Sequence, residues 1–471
     1  MEKLAAFVSE HINDDTTRLI MNKAKWPEID MDLAVNCIES RRKLKGKVQE
    51  WCDEPHLIFP RRLSAEQCSS SATGRFKAEV AEKISRLASL ARNDREEEAR
   101  NEGFRLADLT GGLGVDSWFF SQKASQVLYC EMLPELCRAA GHNFSVLGAE
   151  NIIVKNTAVC AEKEISRLAS LSRNDREEGK EASIFHSPEQ ILSDFQPDIV
   201  YMDPARRGEG GKKVFLIEDC TPDVLTLKDE TFKICRNIFL KLSPMADITM
   251  VCERLGRTCR EVYVVSAGGE CKELLIWMDR EWNDDYMIHA VELHKSGEPG
   301  IFSFHAAEEK SATSVQFIEK PADKQYRIEN MYMFEPGKAL MKAGAFNLIS
   351  QRFNISKIGR STHYYLFSSD QVAAANEVAD ITGSALGKDI CTELKKYGKV
   401  FPVIRMEPLD KRSLKAAGKE FPHSEVTARN IPMDTETLRK KLGVTSGDDA
   451  HIFGLKSDSS GMLLIIFSVI G

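Results

Sequence analysis

Residues 107–116 read A-D-L-T-G-G-L-G-V-D. An apolar run, 104–109, feeds this stretch, and a bulky apolar segment, 115–122, follows it. Strand, glycine turn and helix in that order form the first unit of a doubly wound α/β sheet. Gly111, Gly112 and Gly114 let the backbone turn sharply and approach a ligand closely. The helix beyond them offers free N–H groups and the positive end of its dipole. The spacing is neither G-x-G-x-x-G nor a phosphate loop ending in Gly-Lys-Ser/Thr.

Working outward, Gln126–Glu131 is a second short strand that ends in an acid. Glu131 lies about 20 residues beyond Asp108, the spacing of a ribose-binding acid in such sheets. A helix is expected over 134–147, with Pro134 in a permitted first-turn position. A third strand, 151–156, ends near Asn156, Thr157 and Ala158, where an adenine base would lie. The fourth, 198–202, ends in Asp203-Pro204-Ala205-Arg206-Arg207. A fifth follows at 237–242, then a helix at 246–255 and two last strands at 261–266 and 273–278. The final strand is expected to be antiparallel. Ligands sit outside the carboxyl ends of parallel strands. Four successive strand ends carrying glycine or polar residues are hard to explain by packing alone. Asp108, just ahead of the turn, repels a pyrophosphate but accepts hydrogen bonds from an ammonium group. That favours the methionine end of S-adenosylmethionine over a nucleotide phosphate.

These motifs carry a resemblance. The chain resembles the class I S-adenosylmethionine-dependent methyltransferases, and within them a bacterial family with a ferredoxin-like insert and a C-terminal THUMP-like domain. The stretches that carry it are E-Q-C-S-S-S-A-T-G-R-F-K (66–77), D-L-T-G-G-L-G-V-D (108–116), Y-M-D-P-A-R-R (201–207), K-L-S-P-M (241–245) and E-C-K-E-L-L (270–275). M-F-E-P-G-K-A-L-M-K-A-G-A-F (333–346) and V-T-A-R-N-I-P-M (426–433) follow. The resemblance implies an α/β fold: a Rossmann-like seven-stranded class I methyltransferase sheet, an N-terminal helical cap and a small α+β THUMP-like domain. S-adenosyl-L-methionine is the implied cofactor. Asp108, Thr110, Gly111, Gly112, Gly114, Asp116, Glu131, Asn156, Thr157, Ala158 and Asp203 are its expected contacts. In the resembled family the 66–77 block lies beside the cofactor, which adds Gln67 and Ser70. Gln67, Ser69, Ser70 and Thr73 are equally suited to capping the next helix.

Methyl transfer is an in-line displacement that needs donor and acceptor aligned, and a proton removed where the acceptor carries one. Asp203, Pro204 and Lys241 are the expected catalytic residues. Pro204 has no N–H and leaves its carbonyl to face a substrate amine. Lys241 either contacts substrate or orients Asp203 by pairing with it. Arg206, Arg207 and Ser243 are expected to hold substrate; the alternative for the arginines is an ion pair with Asp219 or Asp223. Asp-Pro followed by Pro-aromatic would suggest amine methylation with a stacked base, but Ala205-Arg206 stands there instead. Asp-Pro-Pro-Arg resembles the RNA uridine C5 enzymes, which use a cysteine after the fifth strand. Here 241–245 holds no cysteine, which argues against a covalent C5 mechanism.

At 471 residues the chain is too long for one core. Its 42% hydrophobic and 29% charged content is that of an ordinary soluble protein. No apolar run approaches the roughly 20 residues of a membrane span. The start, M-E-K-L-A-A-F-V-S-E, lacks a signal-peptide core, so the expected location is cytoplasmic. The net charge of −7 requires any nucleic-acid surface to be local. Twelve cysteines without a Cys-x-x-Cys pair read as packed reduced thiols, and no metal is expected.

The expected domains are a helical cap at 1–55, the methyltransferase domain at 56–280, a ferredoxin-like insert at 281–330, a helical connector at 331–395 and the THUMP-like domain at 396–471. In the cap, Asp32 is expected to open a helix whose Arg41-Arg42-Lys43 end is solvated. Residues 84–97 and 165–178 are two copies of one segment that differ at a single position. They read as duplicated surface insertions, since loop closure tolerates added length; a basic RNA arm is the alternative, opposed by Glu96–Glu98. In the last domain Arg429, Arg439, Lys440 and Lys441 make a basic patch. The function read from all this is methylation of RNA at a nitrogen or ribose oxygen, the RNA resting on analogy with THUMP-like modules. The rivals are a small-molecule or protein methyltransferase, and a non-catalytic S-adenosylmethionine-binding module.

Overall fold

The computed structural model describes residues 2–91, 103–163, 165, 185–206, 217, 220–295, 297–312, 315–318, 328–368 and 390–468. The chain divides into two compact units, Met1–Val262 with Lys272–Tyr286, and Tyr263–Cys271 with Met287–Gly471.

One sheet contains strands β1 (Arg105–Asp108), β2 (Gln126–Glu131), β3 (Ile152–Asn156), β4 (Ile199–Met202), β5 (Asn237–Leu242), β6 (Cys259–Ala267) and β7 (Glu270–Asp279). Their order in the sheet is β3-β2-β1-β4-β5-β7-β6. The pairs from β3 through β5 are parallel, and β7 runs antiparallel to β5 with Leu274 opposite Leu242. Every residue of β4 is buried, as are Val127–Glu131 of β2. Such continuous apolar runs belong to parallel strands covered on both faces. The strand order reverses between β1 and β4, and the carboxyl ends flanking that point open the crevice where ligands bind.

The N-terminal segment is helical, with helices at Glu2–Glu10, Thr16–Met21, Met31–Leu44 and Gln49–Asp53. Asp30, not Asp32, caps the third, accepting from Leu33 N at 3.1 Å. Of the cluster at its end, Arg42 and Lys43 are exposed as expected, but Arg41 is not. Arg41 is buried and donates to the carbonyls of Cys52, Glu54, Pro55 and Leu57, pinning the chain that leaves the cap. Five donors in a rigid fork suit that task. The first duplicated segment is also only partly an insertion. Its opening residues complete the helix Ser71–Ala91, where Ala81, Ile84 and Ala88 form a buried stripe at helical spacing. Residues 92–97 and 166–178 lie outside the described residues.

In the second unit β8 (Met287–Leu293) and β9 (Gly300–His305) form an antiparallel hairpin. A further sheet contains β10 (Met331–Pro336), β11 (Ser356–Lys357), β12 (Tyr365–Ser368), β13 (Gly398–Pro408), β14 (His423–Arg429), β15 (Thr445–Ser457) and β16 (Gly461–Phe467). Its order is β11-β12-β10-β13-β16-β15-β14. The stretch 331–395 is therefore not a helical connector: it supplies three strands as well as the helices Lys338–Ala343, Leu348–Phe353 and Ile390–Lys395. Met333 and Phe334 are both fully buried, so β10 lacks the alternation that marks a half-exposed strand. The helices Lys411–Glu420 and Thr435–Leu442 contribute Leu414, Ala417, Leu438 and Leu442 to a core with Ile452, Leu464 and Ile466. Gly443 ends the second helix at φ +72°, as the sequence implied. No helix among the described residues is long and apolar enough to cross a membrane.

Candidate functional site

The glycine turn sits at the carboxyl end of β1. Gly112 and Gly114 have φ of +56° and +90°, where a side chain strains the backbone. A side chain at Gly111 would run into the Tyr129 ring. The Tyr129 hydroxyl in turn donates to Gly112 O at 2.6 Å. Two acids brace this turn. Asp108, 1% exposed, accepts from Thr110 N at 3.0 Å and from the Ser117 hydroxyl at 2.6 Å. Burial pushes its carboxyl up to about 7, against these two hydrogen bonds. Glu131, at the end of β2, accepts from Gly112 N through one oxygen and from Leu133 N through the other, each at 2.8 Å. Its burial also raises its proton affinity. Nearby, Asn156 Nδ2 and Thr157 N both donate to Glu131 O. The Thr157 hydroxyl meets His186 Nδ1 at 2.9 Å. Ala158 begins a two-residue strand paired with Phe185–His186.

At the ends of β4 and β5 lies a charged pair. Lys241 Nζ donates to Asp203 Oδ2 at 2.6 Å. Thr110 ties this corner to the glycine turn, its hydroxyl accepting from Asp203 N at 2.6 Å. The Asp203 side chain is 38% exposed while that of Lys241 is 13% exposed. Burial disfavours the Lys241 charge, but Asp203, Asp116 and Glu273 outweigh it and raise its proton affinity. Lys241 is therefore held as an ammonium and cannot act as a base.

Behind this pair runs a buried chain of charges. Asp116 accepts from the Ser69 hydroxyl at 3.0 Å and the Tyr201 hydroxyl at 2.8 Å. Its two oxygens lie 3.4 Å from Lys77 Nζ and 3.8 Å from Lys241 Nζ. Burial opposes its ionisation, but the two lysines prevail and hold its proton affinity down. Lys77 donates to both oxygens of Glu273, at 2.8 and 3.0 Å. Sequence reasoning assigned no role to Lys77, Tyr201 or Glu273. A sign was nonetheless present: each of the first five resembling stretches sends a residue here, namely Lys77, Asp116, Asp203, Lys241 and Glu273.

Other expected site residues have visible local duties. Ser70 and Thr73 cap the helix Ser71–Ala91, with Thr73 N donating to Ser70 Oγ at 3.3 Å. Gln67 is exposed at the end of the helix Arg62–Gln67. The Ser243 hydroxyl accepts from Met245 N at 3.3 Å. Pro204 is buried, and Arg206 ends a short strand paired with Cys220–Thr221. Asp223 caps the helix Val224–Thr231. Arg207 and Asp219 lie outside the described residues. Among the described residues no cluster of three or more His, Cys, Asp or Glu could hold a metal.

Residues 332–373 match the model of a ferredoxin-like domain, which falls inside the stretch expected as a connector rather than at 281–330. Residues 398–466 match a THUMP domain-like model. No curated protein sequence matches the chain. Among solved structures, a protein of Porphyromonas gingivalis W83 inferred to be a methyltransferase is 25% identical, with a TM-score of 0.71, over 100% of this chain and 98% of its own. An rRNA methylase of Streptococcus thermophilus is 11% identical, with a TM-score of 0.24, over 38% of this chain and 87% of its own. The chain thus joins a class I methyltransferase fold to a ferredoxin-like and a THUMP-like domain.

Proposed function

We propose that the protein is an S-adenosylmethionine-dependent methyltransferase acting on RNA, at a nitrogen or ribose oxygen. The observation that carries this reading is the Asp203–Lys241 pair, fastened by Thr110 to a glycine turn at the sheet's switch point. The residues present fit the cofactor. A Cβ built at Gly112 would find only Thr110 O, at 3.8 Å, so the turn leaves room beside the backbone. Glu131 would hold the ribose hydroxyls, Asn156–Ala158 the adenine, and the Gly111–Gly112 turn the amino-acid end. The bound cofactor supplies an electrophilic methyl group. Asp203 then accepts a hydrogen bond from the acceptor N–H or O–H, aligns it and takes its proton. Lys241 keeps that carboxylate turned to the site, and Pro204 offers no competing N–H.

Glu131→Gln is expected to weaken cofactor binding by about 1–3 kcal/mol through loss of a charged hydrogen bond. Calorimetry on the folded variant checks this, and unchanged affinity would remove Glu131 from the ribose.

The RNA half of the reading rests on the THUMP-like match and on a basic helix surface. Lys440 and Lys441 are exposed on the helix Thr435–Leu442, whereas Arg439 is spent on Glu425 at 3.3 Å. Arg429 is exposed at the end of β14. RNA affinity should therefore fall with salt, and Lys440→Ala should reduce the log–log salt slope by about 0.7–0.9. Filter binding at several salt concentrations reads the slope, and no RNA binding at low salt would favour a small-molecule substrate.

Transfer of a tritiated methyl group into RNA, protein and small-molecule fractions tests the whole reading. Label in RNA is expected. Label in another fraction moves the substrate class, and cofactor binding without label in any fraction makes the chain a binding module.

A further inference from the structure

Asp203 is the acceptor-side carboxylate in the reading above, and the inference here rests on that. We propose that Lys77 and Glu273 are positioning residues, a buried ion pair that holds Lys241 on Asp203 by occupying the far side of Asp116.

Five groups alternate in sign along one line: Glu273, Lys77, Asp116, Lys241, Asp203. Glu273 and Lys77 close the buried end, at 4% and 0% side-chain exposure. Asp203 forms the open end. Asp116 lies in the middle with one oxygen toward each lysine. Ser69 reinforces the division. Its hydroxyl accepts from Lys77 at 3.0 Å, stands 3.5 Å from Lys241 and donates to Asp116 at 3.0 Å. Asp116 is therefore partly neutralised from behind before it meets Lys241. That leaves Lys241 at 3.8 Å from Asp116 and at 2.6 Å from Asp203. Without Lys77, the buried Asp116 would compete for Lys241, the other ammonium beside it among the described residues, and draw it off Asp203.

Stability is a weak reason for such a pair. Taking two charges out of water costs about as much as their attraction returns, and an apolar pair of similar volume packs as well. Geometry is the better reason, because a carboxylate between two fixed cations has one low-energy arrangement. Sequence distance fits this role too. Lys77 precedes Glu273 by 196 residues and sits on the helix Ser71–Ala91, so the contact ties that helix to β7 beneath the site.

The test pairs two variants of the full chain. Lys77→Met alone strands Glu273 as a buried charge, and it is expected to lose both stability and rate. The double variant Lys77→Met, Glu273→Leu removes both charges. It is expected to recover thermal stability while its single-turnover rate stays about 10–100-fold below wild type, with unchanged cofactor affinity. A merely structural pair would recover the rate along with the stability, and a stable double variant at wild-type rate overturns the proposal. The double variant Lys77→Met, Glu273→Gln, nearly isosteric at position 273, provides a second measure if the first does not fold; a wild-type rate there overturns the proposal equally. A crystal structure of either variant separates this outcome from failure of the functional reading. Movement of Lys241 Nζ from Asp203 toward Asp116 is expected even if the true substrate is not RNA, and an unmoved Lys241 overturns the proposal.

Discussion

Asp203→Asn is expected to lower the single-turnover rate of methyl transfer by about 10²–10⁴-fold, the range for losing a general base. The fold and the cofactor affinity are expected to stay unchanged. The carboxylate stands at the end of a fully buried strand, with its backbone N–H tied to Thr110, so it is held on the sheet and not on a mobile loop. Its exposed side can meet an acceptor while its other oxygen is fixed by Lys241. Lys241 cannot replace it, because three carboxylates hold the ammonium protonated. Asparagine keeps the size and the hydrogen-bonding oxygen but accepts no proton. Rapid-quench single turnovers, with calorimetry for the cofactor, decide the matter. Full rate in Asp203→Asn would make the carboxylate structural and leave the acceptor to backbone carbonyls.

Asp108→Asn changes the dependence of stability on pH. The folded carboxyl titrates near 7 against 3.8 for the ordinary group, so the native state holds a proton that the unfolded chain releases. The Asp108 contribution to wild-type stability therefore falls as pH rises from about 4 to about 7, by as much as about 4 kcal/mol at 1.36 kcal/mol per unit. Asparagine has no such titration. It still accepts from Thr110 N and can donate to Ser117 Oγ. The variant should match the wild type near pH 4 and exceed it by several kcal/mol at pH 8, measured by urea unfolding without cofactor. Parallel stability–pH curves for the two proteins would show that Asp108 is not held protonated by burial.

The methyltransferase sheet was largely legible because its information is local. Each β-turn-α unit announces itself within about 25 residues, through an apolar run, a glycine or polar strand end and an amphipathic helix. Right-handed crossovers then leave few ways to order the strands. The second unit was less legible. Residues such as Met333 and Phe334 are buried on both faces of β10, and a strand without alternation reads like a helix. Arg41 misled for a related reason: a basic cluster at a helix end is normally solvated, and only the chain folding back over it supplies four carbonyls.

By itself the sequence determined the glycine turn, the acids at the ends of β1, β2 and β4, and the antiparallel last strand. These depend on backbone conformations and spacings that neighbouring residues dictate. Only the tertiary structure decided what the charges do. A lysine at position 77 or a glutamate at position 273 is an unremarked charge on its own helix or strand. Brought together across a separation of 196 positions, they meet where both are buried. There each charge needs a partner, and the partners available within a few ångströms determine which lysine is left for Asp203.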